Sequence, residues 1–270
     1  MINDPSGNMG GLVEIALSQR DDIKIIPDSL TGFSRTTHYH RGRVNIQLHA
    51  PHEHVKIMQT VSERWRDVGL IAIDFTQPIS VENNVRLYCA HKIPFIMGTT
   101  GGNRISLPHL VEASEISAVI ATNMSAPVVM LVDMIIYAAT NYPGTLKDWE
   151  IRIVESHQAK KQDISGTALT IGEIMKGLGV KFIGPENIRA IRDEIEQLLM
   201  GIPRSALGGH GWHKYSLLSP DGNVMLGFEH NINGRDTYVD GTLKALDFLV
   251  KKITEGSKGQ CFSMPDVMHG

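Results

Sequence analysis

The sequence predicts an α/β fold class, with a Rossmann-like, doubly wound parallel sheet and a smaller α+β domain that has an open mixed sheet. Short apolar runs alternate with helically spaced apolar residues over the first half of the chain, and each run ends in small or polar residues. After Gly144 the pattern changes to runs in which charged and apolar residues alternate. The first pattern is typical of parallel strands covered on both faces, and the second is typical of strands with one covered face.

The first pattern supplies the elements of the parallel sheet in order. Met1-Ile2-Asn3 is predicted to be a short strand, followed by a glycine-containing loop and then a helix that begins near Leu12. Further strands are expected at Ile23–Ile26, Leu70–Phe75, Pro94–Met97 and Ala118–Ala121, with a helix over about Ser80–Ala90. Pro27 is expected to stop the strand at 23–26, because proline lacks the N–H group that a strand needs.

The second pattern predicts strands at Glu150–Glu155, Trp212–Leu218 and Val224–His230. A last helix from about Thr242 to Ile253 is expected to pack back on the first domain. We therefore place a dinucleotide-binding domain at residues 1–125, together with a C-terminal segment at about 238–270. A second domain, for substrate binding, is placed at residues 126–237.

Composition excludes several classes of protein. Hydrophobic residues make up 42% of the 270 residues and charged residues 20%, which excludes disorder. The apolar runs are too short to cross a membrane, and Asp4, Pro5 and Gly7 interrupt any secretory signal at the start. The net charge of -3 gives no reason to expect a nucleic-acid partner. Two cysteines favour a reducing compartment such as the cytoplasm, and the plastid stroma fits if a transit peptide is absent from this chain.

The predicted strand ends collect small and polar residues. They read Gly7-Asn8-Met9-Gly10, Asp74-Phe75-Thr76, Gly98-Thr99-Thr100-Gly101 and Thr122-Asn123-Met124. Ligands of doubly wound sheets bind beyond the carboxyl ends of the strands, and a helix N-terminus attracts phosphate. One such loop is explained equally well as a tight turn, but four in succession favour a dinucleotide site.

Two features bear on how that nucleotide binds. A dinucleotide fingerprint has glycine where Asp4 stands, and a carboxylate near the pyrophosphate should weaken binding. Either the N-terminus is trimmed or the domain binds its nucleotide weakly. The second predicted strand ends at Asp28, which is able to accept from a ribose hydroxyl of NADH, whereas Arg35 is able to serve the 2′-phosphate of NADPH. Both side chains also fit a plain surface role, and we expect use of both nucleotides.

The stretch from Glu155 to Ala168 contains the largest number of residues suited to catalysis and anion binding. Ser165, Gly166 and Thr167 are predicted to begin a helix, where free N–H groups and hydroxyls bind an anion. Lys160 and Lys161 add positive charge, and His157 can exchange a proton near neutral pH. The residues predict a pocket for a small dicarboxylate that is protonated during reaction. The alternative is a capped helix behind a solvated loop with incidental lysines.

The stretch E-S-H-Q-A-K-K-Q-D-I-S-G-T-A resembles the signature of the 4-hydroxy-tetrahydrodipicolinate reductase family. Bacterial members read E-x-H-H-x-x-K-x-D-A-P-S-G-T-A. Gln158 replaces the second histidine here, and one residue fewer precedes Ser165, as in the plant-type branch. Other matches are to G-x-M-G at 7–10, D-[FY]-T-x-P at 74–78, P-F-V-M-G-T-T-G-G at 94–102 and G-R-x-x-Y-x-x-G-T at 234–242.

The resemblance implies a role for each matching residue. The nucleotide is expected over Gly7, Asn8, Met9 and Gly10, with the nicotinamide near Thr76, Gly98, Thr99, Thr100, Ala121, Thr122, Asn123 and Met124. His157 matches the general acid, and Lys161 matches the catalytic and carboxylate-binding lysine. The substrate-binding residues are expected to be Gln158, Lys161, Ser165, Gly166, Thr167 and Arg235. The implied reaction is hydride transfer from NADPH or NADH to a conjugated cyclic imine, followed by proton delivery.

Two further readings stay open: a reductase of another cyclic imine, and a non-catalytic homologue with a role in assembly. By analogy with the family, we expect a homodimer or homotetramer formed through the sheet of the second domain. No metal is predicted, because no acidic or cysteine partners complete a site at familiar spacing around the histidines His38, His40, His49, His52 and His54.

Overall fold

The computed structural model describes residues 1–42, 44–103 and 105–270. The chain divides into two compact units, the first made of Met1–Ala126 with Asp236–Gly270 and the second of Pro127–Arg235. The N-terminal part of the first unit contains β1 (Ile2–Asn3), α1 (Asn8–Ser18), β2 (Asp28–Leu30), β3 (Thr37–Arg41), β4 (Val44–His49), α2 (His54–Arg64), β5 (Ala72–Asp74), α3 (Val81–Ala90), β6 (Phe95–Met97), α4 (Ser106–Ser114) and β7 (Ser117–Ile120).

The rest of the chain completes both units. It contains α5 (Ala126–Asn141), β8 (Glu150–His157), α6 (Gly166–Met175), β9 (Ile188–Ile191), α7 (Glu194–Leu199), β10 (His210–Leu218), β11 (Met225–Asn233), α8 (Asp236–Thr254), β12 (Gln260–Phe262) and α9 (Met264–His269). Among the described residues, no helix combines the length and the apolar character that crossing a bilayer requires.

The first unit is built on a five-stranded sheet in the order β1-β5-β6-β7-β12. Every neighbouring pair in it is parallel. Large apolar side chains such as Tyr88, Phe95, Met97 and Leu107 are fully buried in its core. The apolar runs at 70–75, 94–97 and 118–121 therefore form central strands, because such runs suit strands covered on both faces. The predicted parallel α/β fold is confirmed.

The strand predicted at Ile23–Ile26 is wrong. The structure describes all four residues and places the strand after Pro27 instead, over β2. The edge strand β1 has only two residues, and residues 23–26 pair with no strand of the described part of the chain. They line a cleft of about 1230 Å³ on the first unit.

Strand β2 belongs to a second, three-stranded sheet in the order β2-β4-β3, which the sequence analysis did not predict. β3 and β4 form an antiparallel pair, and β2 pairs with β4 in parallel. Gly42, with a φ of 56°, lies in the turn between β3 and β4. Alternating polar and apolar residues over 37–49, with a glycine in the middle, were the available signal for this hairpin.

The second unit has a four-stranded mixed sheet in the order β11-β10-β8-β9. One face is covered: Ile151, Ile153 and Tyr215 pack against Ile171 and Met175 of α6. Side chains of the opposite face, such as Arg152 and Lys214, are exposed. The open mixed sheet expected from the alternating pattern is thus present, and its covered face includes every second residue along the middle of β8 and β10.

Candidate active site

The glycine-containing loop leads into α1 as expected, but the helix begins at Asn8, four residues earlier than predicted. Gly7 is the N-cap, so Asn8, Met9 and Gly10 form the first turn. Amide groups of a first helical turn have no intrahelical acceptor and are suited to bind phosphate. A Cβ on Gly10 would lie 2.1 Å from the Asp4 carbonyl oxygen, so only glycine allows the helix to start this close to the strand.

Asp4 occupies the entrance of this loop in a conformation that glycine prefers. Its φ is 56°, and its N–H donates to Leu30 O and to the Ser29 hydroxyl, at 3.1 Å each. The carboxylate is nearly buried and accepts a hydrogen bond from the Ser6 hydroxyl at 2.6 Å. A Cβ added to Gly7 would lie 3.6 Å from Asp4 Oδ2. The negative charge therefore stays beside the loop that should receive the phosphates.

The loops after β5 and β6 are tied together by threonines. Thr76 donates through its N–H and its hydroxyl to Asp74 Oδ1, at 2.8 and 2.6 Å. The Thr99 hydroxyl donates to Thr76 O at 2.9 Å. The fully buried Asp74 also accepts from Asn84 and Tyr88, so its carboxylate shapes this edge of the sheet from within. Burial, followed by the charge of Asp74, raises the pKa of Tyr88 and keeps its hydroxyl a donor.

The four predicted nucleotide loops share one edge of the sheet. β1, β5, β6 and β7 are consecutive and parallel, so their carboxyl ends lie side by side. Asn8, Thr100 and Thr122 are exposed there, whereas Ala121 and Met124 are buried. Gly98 is half-buried, and Asn123 accepts a hydrogen bond from Ser125 N at 2.8 Å. The structure therefore brings together the residues expected to meet the nucleotide.

Asp28 is not at the end of its strand. Because β2 starts after Pro27, Asp28 is its first residue, and its Oδ1 lies 2.9 Å from His49 Nε2. The expectation that Asp28 follows the second strand is therefore wrong. The exposed Arg35 lies in the loop that follows the carboxyl end of β2, where the sequence analysis had expected the ribose-binding acid.

In the second unit, the covered face of the sheet changes from apolar to polar toward one end. Ile151, Ile153, Glu155 and His157 alternate along β8 on this face, and the last two form its polar end. Gly211 of β10 stands opposite His157, and a Cβ there would lie 3.0 Å from His157 Cε1. Glycine thus leaves the space that the imidazole ring occupies.

Three histidines meet at this polar end, the buried His213 and the half-buried His157 and His230. His157 Nε2 lies 3.1 Å from His213 Nε2, and His213 Nδ1 lies 2.9 Å from His230 Nε2. Burial is the largest cause that lowers the pKa of His157 to about 4, and Glu155 opposes it. Burial likewise lowers the pKa of His213 to about 2 and that of His230 to about 4. In the free protein these rings are neutral at pH 7.

The loop after β8 carries the predicted substrate-binding residues back to α6. Ser165 is the N-cap of α6, and its N–H donates to Glu155 Oε1 at 3.4 Å. Lys161 Nζ contacts Asp163 Oδ2 at 2.5 Å, and the Lys161 side chain is only 18% exposed. Lys160, by contrast, is exposed. The Lys161 N–H donates to Gln158 O at 2.9 Å, which makes this part of the loop a tight turn.

Two family profiles match almost the whole chain. The profile described as dihydrodipicolinate reductase, N-terminus, matches residues 1–124, and the one described as dihydrodipicolinate reductase, C-terminus, matches residues 128–268. The chain belongs to the dihydrodipicolinate reductase family. It is therefore a member of a family of oxidoreductases in the diaminopimelate route to lysine.

Curated relatives agree with this assignment. Probable 4-hydroxy-tetrahydrodipicolinate reductase 1, chloroplastic, of Oryza sativa subsp. japonica is 36% identical over 275 residues, covering 99% of this chain and 78% of the relative. 4-Hydroxy-tetrahydrodipicolinate reductase 2, chloroplastic, of Arabidopsis thaliana is 36% identical over 271 residues, covering 99% and 76%. A solved dipicolinate-bound dihydrodipicolinate reductase from Paenisporosarcina sp. TG-14 shares the fold, with a TM-score of 0.63, 13% identity and coverage of 97% and 96%.

The family signature is anchored by an ion pair that the sequence analysis missed. Arg192, which follows β9, donates to both oxygens of the buried Glu155, at 2.7 and 3.0 Å. The same guanidinium donates to Lys161 O and Asp163 O, at 2.8 and 3.2 Å. Arg192 thus joins the signature loop to β8. Arg192 lies beside Glu155 because β9 pairs with β8 in parallel, and no short motif in the sequence predicts that pairing.

Arg235 lies at the same end of the four-stranded sheet as the signature. It is half-buried, lies two residues past the end of β11, and its Nη2 lies 3.5 Å from Gly208 O. Gly208 precedes β10 by two residues, and Gly211 of β10 pairs with His157. Arg235 therefore adds a third guanidinium or ammonium group to this end, besides Lys161 and Arg192.

A metal fits this end of the sheet poorly. Glu155, His157 and His213 offer ligand atoms within 4.8 Å of one another. However, Arg192 binds both oxygens of Glu155, and Lys161 adds positive charge nearby. A divalent cation would have to displace the guanidinium and to lie beside it. The donor set therefore suits a bound anion better than a cation.

Proposed function

We propose that this chain reduces 4-hydroxy-tetrahydrodipicolinate to tetrahydrodipicolinate, with a hydride from NADPH or NADH. The observation that carries the proposal is the convergence of the family signature at one end of β8. His157 ends that strand, Lys161 is held through its carbonyl by Arg192, and Ser165 is held through its N–H by Glu155. An acid and an anion site are thus fixed around one buried carboxylate.

The carboxylates of the substrate find donors on two sides of this site. The first turn of α6 presents the N–H groups that follow Ser165, together with the hydroxyls of Ser165 and Thr167. Gly166 is exposed, and apart from its chain neighbours and its own helix no atom of the described residues lies within 4 Å of where its Cβ would be, so a ligand can approach the backbone. The Lys161 ammonium, Gln158 and Arg235 supply further donors. Charge-assisted hydrogen bonds of this kind are the stronger ones in proteins.

His157 is the group that can deliver the proton. A bound nicotinamide nucleotide would supply the hydride, which leaves extra electron density on the reduced ring. A protonated His157 can donate to that ring, because the two substrate carboxylates raise the proton affinity of a neighbouring imidazole. The cationic surroundings stabilise the negative charge that develops during the transfer.

The first unit has the features that a pyridine nucleotide needs. The free N–H groups of α1 and the close approach allowed by Gly10 fit a pyrophosphate, and Thr76, Thr100 and Thr122 fit the nicotinamide half. Arg35, exposed after β2, fits the 2′-phosphate of NADPH, while Asp28 is paired with His49. We propose use of both nucleotides, with NADPH preferred.

Two coarser features of the proposal concern assembly and compartment. Val224, Met225 and Leu226 are exposed apolar residues at the start of β11, the edge strand of the mixed sheet. We propose a homodimer or homotetramer formed through this sheet, to be tested by light scattering.

The rice and Arabidopsis relatives are named chloroplastic. For this chain we propose a reducing compartment, either cytosol or plastid stroma.

The test is nucleotide oxidation by the purified protein. Substrate-dependent oxidation of NADPH or NADH with 4-hydroxy-tetrahydrodipicolinate is the expected result. A cyclic imine that carries one carboxylate, 1-pyrroline-2-carboxylate, serves as the comparison. Faster turnover of the monocarboxylate would favour a reductase of another imine. Oxidation with neither compound, in a folded protein that binds nucleotide, would favour the non-catalytic alternative and overturn the proposal.

A further inference from the structure

Behind His157, a chain of hydrogen-bonding rings runs across three strands. His213 of β10 lies opposite both Glu155 of β8 and His230 of β11 in the strand register. Its Nε2 is 3.1 Å from His157 Nε2, while its Nδ1 is 2.9 Å from His230 Nε2 and 3.2 Å from the Tyr215 hydroxyl. Every ring nitrogen of His213 is therefore engaged, and of its hydrogen-bonding partners His157, His230 and Tyr215 only His157 is in the family signature.

The contact with His213 decides which nitrogen of His157 can meet a substrate. The Nε2 atom is taken by His213, and Glu155 Oε2 lies 3.7 Å from it. Within the described part of the chain, the Nδ1 atom of His157 has no hydrogen-bond partner, and the side chain is 17% exposed. The donor to the substrate must therefore be Nδ1–H, with Nε2 turned inward.

We propose that His213 is a positioning residue for His157, an inference that rests on the proposed function. His213 accepts the Nε2–H of protonated His157 and so holds the ring with Nδ1–H directed outward. His213 then carries its own proton on Nδ1, shared between His230 Nε2 and the Tyr215 hydroxyl. A histidine that is oriented through its second nitrogen is the arrangement that fixes tautomers at metal and triad sites.

The charges around His157 explain why a neutral acceptor is needed. Lys161 from the loop, Arg192 after β9 and His210 of β10 all disfavour an imidazolium, and only Glu155 favours it. Both oxygens of Glu155 are already bound by Arg192. His213 stays uncharged, because burial first and then the neighbouring His230 lower its pKa to about 2. His213 can therefore accept a hydrogen bond from His157 Nε2–H without adding positive charge to the site.

The proton balance of the step is simple. The Nδ1–H bond of the imidazolium breaks, and that proton goes to the reduced substrate. The Nε2–H bond remains, still donated to His213, so the product ring is a neutral imidazole. Water returns the next proton to Nδ1 after the product leaves.

The test compares His213→Asn with His213→Gln. Both are polar, but the asparagine amide lies where Nδ1 lay and cannot reach His157, whereas the glutamine amide lies where Nε2 lay and its oxygen can accept. We expect His213→Asn to lower kcat about 10- to 100-fold with KM and nucleotide affinity nearly unchanged, the range found for residues that orient metal-bound histidines. We expect His213→Gln to recover most of that kcat.

The pH profile adds a readout that a purely structural role would not move. Loss of the acceptor destabilises the imidazolium, so the pKa of His157 in the substrate complex falls. Because a general acid must be protonated, kcat of His213→Asn should decline at lower pH than kcat of the parent. An unshifted decline, or a His213→Gln variant as slow as His213→Asn, would overturn the inference.

The two proposals fail separately. If the parent shows no substrate-dependent oxidation, the proposed function fails. If the parent turns over but His157→Asn is as fast as the parent, the roles of His157 and His213 both fail while the proposed function stands. If the parent turns over and His157→Asn does not, but the two His213 variants behave alike, only the role of His213 fails. Substitution of the exposed His109 by Gln is the control for loss of a histidine elsewhere.

Discussion

Lys160 and Lys161 are neighbours in sequence with different surroundings. Lys161 is largely buried against Asp163, whereas Lys160 is exposed to solvent. Both lysines fit a basic loop, and in the sequence only the family signature distinguishes Lys161 from Lys160. The structure separates them by burial, because the turn at Gln158 directs one side chain inward and leaves the other in water.

This difference predicts how the two lysines respond to removal of charge. Pyridine-2,6-dicarboxylate should bind as a competitive inhibitor, because it is flat and carries two carboxylates. Lys161→Met should weaken its binding by roughly 10-fold or more, since a charge-assisted hydrogen bond contributes about 1.5–3 kcal/mol. Lys160→Met is the matched control and should bind the inhibitor like the parent, as measured by calorimetry. Equal affinities for all three proteins would remove Lys161 from the pocket.

Asp4 shows how one residue can oppose the site it belongs to. Its backbone has a left-handed conformation, and its carboxylate lies beside the loop at Gly7. The departure from glycine was visible in the sequence. The position of the Asp4 carboxylate could not be predicted from the sequence, because it depends on the hydrogen bond from the Ser6 hydroxyl.

Two substitutions separate charge from backbone at this position. Asp4→Gly should tighten NADPH binding and raise the free energy of unfolding by about 1 kcal/mol, since a side chain in the left-handed region is strained. Asp4→Asn should tighten NADPH binding with little gain in stability. Both gains in affinity should shrink little at high salt, because the Asp4 carboxylate is nearly buried and buried charges are screened less than exposed ones. Calorimetry at two salt concentrations measures this, and unchanged affinity in both variants would show that the carboxylate does not face the phosphates.

At the scale of elements, the strands that could be predicted from the sequence are those that are buried on both faces. β5, β6 and β7 were predictable because strands covered on both faces are apolar runs. The displacement of β2 past Pro27 was not, because it depends on β1 being short and on Asn3 and Asp4 bonding to Leu30. Likewise, the pairing of β8 with β9 is a long-range property, so the contact of Arg192 with Glu155 could not be predicted from local spacing.

Arg192 joins β8 to the loop that follows it, and a substitution can remove this connection. Arg192→Met removes the partner of a fully buried carboxylate, which should lower the free energy of unfolding by about 3 kcal/mol or more. It should also weaken dicarboxylate binding, because Lys161 and Asp163 lose their backbone anchor. Adding Glu155→Gln should restore part of the stability, as measured by urea unfolding. A single variant as stable as the parent would show that the clamp carries little energy.

For the whole molecule, the cluster of His157, His213 and His230 predicts a stability that depends on pH. Their folded pKa values lie below the value of about 6.5 for an unfolded histidine, so the unfolded chain binds more protons. The free energy of unfolding should therefore fall as pH drops below about 6.5, continuing through pH 4. Each such histidine contributes up to about 1.4 kcal/mol per pH unit in that window. Urea unfolding from pH 7 to 5 checks the slope, which should be shallower in His230→Phe than in the parent and unchanged in His109→Gln.

The division into two units also limits what each substitution changes. The residues proposed for the nucleotide lie in the first unit, and those proposed for the substrate lie in the second. The change of strand pattern after Gly144 is what suggests a second domain in the sequence. The cluster of His157, His213 and His230 could not be predicted from local spacing, because His157 and His213 are 56 residues apart in the sequence and meet only when β8 pairs with β10.

The most direct measurement is steady-state kinetics of His157→Ala with NADPH and 4-hydroxy-tetrahydrodipicolinate, beside the parent. If His157 is the acid of this reductase, kcat should fall about 10²- to 10⁴-fold, because the proton is needed in the transition state, while KM changes little. NADPH affinity should stay that of the parent, which shows that the variant is folded. A kcat equal to that of the parent would contradict the assignment of His157, and a parent that oxidises no nucleotide with this substrate would contradict the proposed function itself.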